Sequence, residues 1–133
     1  MIRFQEAKDR AKLKLEHRVL NDKRYEYAAN IEGKMEKVLI LLEDISSIND
    51  TANEEALRSV YDDLESSLAI IRKTPVINFS LIKSTATDVL KKSRIAMRKA
   101  EADFAQSQIV RRTSTIFLLL FKIETTDNLR QND

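Results

Sequence analysis

The sequence predicts an all-α fold, a bundle of three to four long, mostly antiparallel amphipathic helices. Three observations predict it. Apolar side chains recur every three or four residues over most of the chain, the spacing that gathers them on one side of a 3.6-residue turn. The 133 residues contain one Gly and one Pro, far short of the turn residues a β-rich chain needs about every ten positions. There is no Cys, so neither a disulfide framework nor a thiolate zinc site organises the fold.

The first helical segment runs from about Ile2 to Ile48. Its later part has a clean seam, Ile31, Met35, Val38, Leu42 and Ile45, extended upstream by Tyr27 and Ala28. Its earlier part carries a narrower stripe, Phe4, Ala7, Ala11, Leu15 and Val19, on a strongly charged helix. Asn21-Asp22 can divide the two parts, because short polar side chains compete for backbone hydrogen bonds. One helix of about 45 residues is the alternative, since no Pro or Gly enforces a break. Gly33 lies inside the strong seam, where it costs about 1 kcal/mol against Ala. It is either an exposed, tolerated glycine or a point of close helix contact.

Ser46-Ser47-Ile48-Asn49-Asp50 stops this segment. Thr51-Ala52-Asn53-Glu54 reads as a capping box with Thr51 as N-cap. The second helix buries Leu57, Val60, Tyr61, Leu64, Leu68 and Ile71 and ends in Arg72-Lys73, where cations suit the helix dipole. Thr74-Pro75 terminates it, because a residue before proline is pushed out of the α region. The last helix starts after Asn78 or Ser80 as N-cap. Its seam is mostly small: Ile82, Ala86, Val89, Ser93, Ala96, Ala100, Phe104 and Ser107. The 133 residues fit one helical domain, from which residues 1–24 and 113–133 can extend, with 126–133 expected to fray.

The net charge of +2 hides a basic–acidic–basic layout. Residues 1–24 hold eight Lys/Arg against four acids, residues 31–68 three against ten, and residues 81–112 eight against three. One reading is complementarity inside the bundle, with an acidic centre between basic helices. The other is a basic surface for nucleic acid or anionic membrane. Its contacts would be Lys91, Lys92, Arg94, Arg98, Lys99, Arg111 and Arg112, of which Lys91, Arg94 and Arg98 share a helix face.

Catalytic chemistry has no foothold. His17 is the only histidine, and no Glu-x-x-His pairing accompanies it. The carboxylate pairs, Glu32 with Glu36, Glu43-Asp44, and Asp62-Asp63 with Glu65, sit opposite apolar seams and read as solvated faces. No phosphate-cradling glycine loop occurs. The expectation is a non-enzyme without metal, cofactor or small-molecule substrate. Arg111-Arg112-Thr113-Ser114 resembles a basophilic kinase site and is expected to stay unmodified.

Ile116-Phe117-Leu118-Leu119-Leu120-Phe121 is apolar on every side of a helix, and such a helix must be enclosed. The run is too short to span a bilayer, which takes about 20 apolar residues. The first expectation is burial within its own bundle against the Phe4 to Val19 stripe. The second is a contact surface formed by Ile116, Phe117, Leu119, Leu120 and Phe121 for a second copy or another protein. A membrane-surface anchor is the third. The functional expectation is a scaffold or adaptor acting through protein–protein contacts, homo-oligomeric ones included. Without a secretory apolar region near Met1, a cytoplasmic location is expected.

Overall fold

The computed structural model describes residues 2–131, with side chains for 3–122. Three α-helices and one 3-10 turn make up the described residues: α1 (Ile2–Ser47), α2 (Thr51–Lys73), the turn Val76–Asn78, and α3 (Phe79–Gln131). The fold is all-α, with three helices rather than four.

The first segment is one continuous helix of 46 residues. Asn21-Asp22 does not break it. The Asn21 side chain accepts from Arg24 Nη2 one turn on, so its oxygen does not compete for a backbone N–H. Gly33 is also helical, and a Cβ built there would meet nothing within 4 Å. The close-contact reading of Gly33 is therefore wrong, and the glycine is a tolerated one.

Asn49 turns the chain between α1 and α2 with φ of 57°, a left-handed conformation that Asn tolerates better than most residues. Asp50, not Thr51, caps α2. Its Oδ1 accepts from the Asn53 backbone N–H at 3.2 Å, and Thr51 is already the first helical residue. The N-cap expected at Thr51 is thus displaced by one position, and the Asp50 backbone N–H goes to Ile45 O instead of closing a capping box. Glu54 reaches forward to Arg58 at 2.7 Å instead of back to the cap. Thr74 closes α2 in an extended conformation with its backbone N–H on Ile70 O, as its place before Pro75 requires. The 3-10 turn places Asn78 immediately before α3; Ser80 lies inside the helix.

The core is a single seam shared by the three helices. Ala28, Ile31, Val38, Leu41 and Ile45 come from α1; Leu57, Val60, Leu64, Leu68 and Ile71 from α2; Ile82, Ala86, Val89, Met97 and Ala100 from α3. Ala86, Ser93 and Ala100 are fully enclosed, and such small side chains let helix axes approach closely. The Ser93 hydroxyl donates to Leu90 O at 2.8 Å, which satisfies it within its own helix.

Contacts between distant residues fix the directions. Glu32 pairs with Arg72, and Arg24 Nη1 donates to Thr74 O at 3.0 Å, so α1 and α2 run antiparallel. Asn53 bonds Asp103 across 2.7 Å, so α2 and α3 also run antiparallel. Tyr27 and Phe79 bring their rings within 6.2 Å at one end. Leu41 and Asp44 share a hollow with Met97, Glu101 and Phe104 at the other. Hence α1 and α3 are parallel. At 23 residues, α2 is much the shortest helix, and each long neighbour outruns it in the opposite direction. Residues 3–20 of α1 project past one end of the bundle and residues 105–122 of α3 past the other, each arm about 27 Å long at 1.5 Å per residue. α3 stays helical to Gln131, so the tail expected from residue 126 is helical that far; Asn132 and Asp133 lie outside the described residues.

Candidate interaction surface

Each residue turns an α-helix by about 100°, so rows at three- and four-residue spacing trace its faces. On α3 the core row passes through Ile82, Ala86, Val89, Ser93, Met97 and Ala100. Continued outward, it reaches Phe104, Ser107 and Arg111 and loses its apolar character. The apolar row of the arm, Ile109, Thr113, Ile116, Phe117 and Leu120, lies on the opposite side of the helix.

Ile116, Phe117, Leu118, Leu119, Leu120 and Phe121 are between 55% and 70% exposed. The expected enclosure of this run against the Phe4 to Val19 stripe does not occur, because the two segments project from opposite ends of the bundle. Helix lengths decide this. α2 is too short to back either arm, and parallel α1 and α3 carry their overhangs apart. Ile116, Phe117, Leu119, Leu120 and Phe121 thus come together as a projecting apolar segment. No helix of the described residues is long and apolar enough to cross a membrane.

The basic residues of α3 are placed less coherently. Lys91, Arg94 and Arg98 form one exposed row. Glu101 follows close to that row, and Arg112 resumes it about one turn before the apolar run begins. Lys92 and Lys99 occupy an adjoining strip, while Arg111 falls on the side that continues the core row. All seven are exposed, but they do not make one stripe.

A more ordered arrangement stands on the α1 arm, where a simple charge count over residues 1–24 conceals it. Traced backward from Ile31, the core row runs through Ala28, Arg24, Leu20, His17, Leu13, Arg10 and Glu6. Leu13, His17 and Asn21 accordingly face Val76 across a shallow hollow of about 630 Å³, whose rim Lys14 and Arg18 also line. Phe4, Ala7, Ala11 and Leu15 lie on the other side, pointing away from the bundle, with Phe4 76% exposed. The acids Glu6, Asp9 and Glu16 fall on the half that continues the core row, while Asp22, the fourth acid of residues 1–24, lies on the outward side one turn beyond Arg18. Arg3, Lys8, Lys12, Lys14 and Arg18 flank the apolar row. The signal in the sequence is the phase of the acids, not their number.

Comparison with protein-family models, curated proteins and solved structures finds no match. Among the described residues, no group of three or more His, Cys, Asp or Glu side chains could hold a metal ion. Every buried side-chain nitrogen and oxygen among the described residues has a hydrogen-bond partner. The paired carboxylates are accounted for as surface groups. Glu32 pairs with Arg72, and Glu36, Glu43, Asp44, Asp62, Asp63 and Glu65 are all exposed. Ser114 is exposed on the α3 arm.

Proposed function

We propose that this chain is a non-enzymatic helical scaffold or adaptor that acts through protein–protein contacts, with a second copy of itself among its partners. The bundle of α1, α2 and α3 is the rigid body, and the α3 arm is the docking element through Ile116, Phe117, Leu119, Leu120 and Phe121. One observation carries this reading: six consecutive apolar side chains stand more than half exposed on a helix that projects clear of its own core. Contiguous apolar surface of this kind marks interaction sites, and large aromatic and aliphatic anchors dominate the energy of such contacts.

Sedimentation of the whole chain over a range of concentrations tests the self-association. The expected result is a mass that rises with concentration and returns to the monomer when Phe117 and Leu120 are replaced by Ser. A monomer at every concentration defeats the homo-oligomeric part of the proposal. Failure of the Phe117→Ser/Leu120→Ser variant to alter any protein contact of the native chain defeats the docking role itself.

A further inference from the structure

We infer that the α1 arm is an anionic-membrane contact, separate from the docking element on α3 and at the opposite end of the bundle. The arm's outward face has an apolar centre, Phe4, Ala7, Ala11 and Leu15, bordered by Lys8 and Lys12 on one side and Arg3 and Lys14 on the other; Lys14 and Arg18 also line the rim of the hollow beside Val76. Residues 3–19 are all exposed. Lys8, Lys12 and Lys14 make no ion pair among the described residues. The arm's acids are turned to the other side, where Glu6 reaches Arg10 at 3.9 Å and Asp9 accepts from Gln5 at 3.2 Å.

This sidedness selects the occupant. A helix lying in a bilayer interface puts its apolar row below the headgroups, and long cationic side chains on either flank reach up to the lipid phosphates. Two weak signals, apolar insertion and a polybasic border, together give stable attachment where either alone is marginal. The apolar row here is narrow, with two alanines at its centre, so the attraction rests chiefly on charge and fades outside a Debye length. A nucleic acid would use the cations but leave Phe4 and Leu15 facing phosphates. The acidic middle of a second copy, residues 31–68, offers charge but commits most of its large apolar residues to the core, leaving Leu39 and Ile40 exposed.

The absence of Cys makes the test direct. Single cysteines are introduced in the full chain as Ala11→Cys on the proposed face and Glu16→Cys on the other. Each is labelled with an environment-sensitive dye and titrated with phosphatidylcholine vesicles with and without phosphatidylserine. The expected result is a blue shift at position 11 alone, only with phosphatidylserine, reversed by added salt. The Lys8→Glu/Lys12→Glu/Lys14→Glu variant is expected to lower vesicle partitioning by more than about tenfold. The Lys91→Glu/Lys92→Glu/Lys99→Glu variant, with the same change in net charge, should leave most of it. Equal shifts at positions 11 and 16, equal loss in both triple variants, or equal binding to pure phosphatidylcholine each overturn the assignment. So does a tighter association with duplex DNA that Phe4→Ser leaves unchanged. The Phe117→Ser/Leu120→Ser variant keeps the two proposals separable: it is expected to bind these vesicles as the native chain does, and loss of its vesicle binding also overturns the assignment.

Discussion

Asn53 Nδ2 donates to Asp103 Oδ2 at 2.7 Å, joining the first turn of α2 to α3 beside the N-cap. The same amide nitrogen donates to Asp50 Oδ2 at 2.6 Å, so one buried side chain ties a helix cap to a neighbouring helix. Apolar seams alone permit sliding by one turn. A polar pair with fixed partners penalises the slipped register, because a slipped Asn53 would be buried without its bonds. At the other end, Arg24 on Thr74 O does the equivalent for α1 and α2.

Replacing Asn53 with Ala should lower stability by about 1–2 kcal/mol, since bonds to two carboxylates are lost together. Asp103→Ala should cost less, because Asp103 is exposed and leaves no orphan in the core. A double-mutant cycle read by urea unfolding should give a coupling of about 0.5–1.5 kcal/mol. A coupling near zero would mean that the bond does not hold the register.

Gly33→Ala should stabilise the protein by about 0.5–1 kcal/mol. The position is helical and open, so the added methyl meets nothing while the unfolded chain loses freedom. A thermal melt would register this as a higher midpoint, and a lower one would mean that another helix does pass close by.

Asn49 separates backbone strain from side-chain chemistry. At φ of 57°, Asn49→Gly should be nearly neutral, whereas Asn49→Val should cost about 1–2 kcal/mol because its branched Cβ crowds the left-handed conformation. Chemical denaturation of the pair gives the difference, and equal stabilities would refute a strained turn.

Leu64→Ala and Phe117→Ser should diverge sharply. Leu64 is fully buried, and its truncation should cost about 2–5 kcal/mol. Phe117 is 70% exposed, and its loss should change unfolding by no more than about 0.5 kcal/mol. A large destabilisation by Phe117→Ser would place the run inside a folded core.

Much of this architecture was legible in residue spacing. The α2 face read from the sequence, Leu57, Val60, Tyr61, Leu64, Leu68 and Ile71, is the face that packs, because a short helix between two long ones has one direction in which to bury its apolar side. The α3 row drifted at Ala96, which is only partly buried while Met97 is enclosed. Both lie within one turn of the seam, and Met fills gaps that Ala cannot. The N-cap was misplaced because Asp50 and Thr51 are both good caps, and the choice depends on Asn49 adopting the left-handed conformation one residue earlier.

The candidate surface was legible in its residues and illegible in its setting. Ile116 to Phe121 announced an apolar segment. Burial against Phe4 to Val19 was excluded only by the order of helix lengths, a property of the assembled bundle and not of any local window. The α1 face was missed for a related reason: a net charge for residues 1–24 averages over the helix circumference, and the chemistry resides in the sidedness.

The parallel course of α1 and α3 sets the rules of any assembly this molecule enters. Its two tips are chemically unlike, so the chain has a polarity. A pair made by like tips closes around a twofold axis, which uses up that kind of tip and leaves the other kind free at both ends. A contact between unlike tips repeats, as a closed ring where its rotation closes and as a filament where it does not. Shortening either overhang would therefore cap growth, and lengthening α2 would blunt both tips at once.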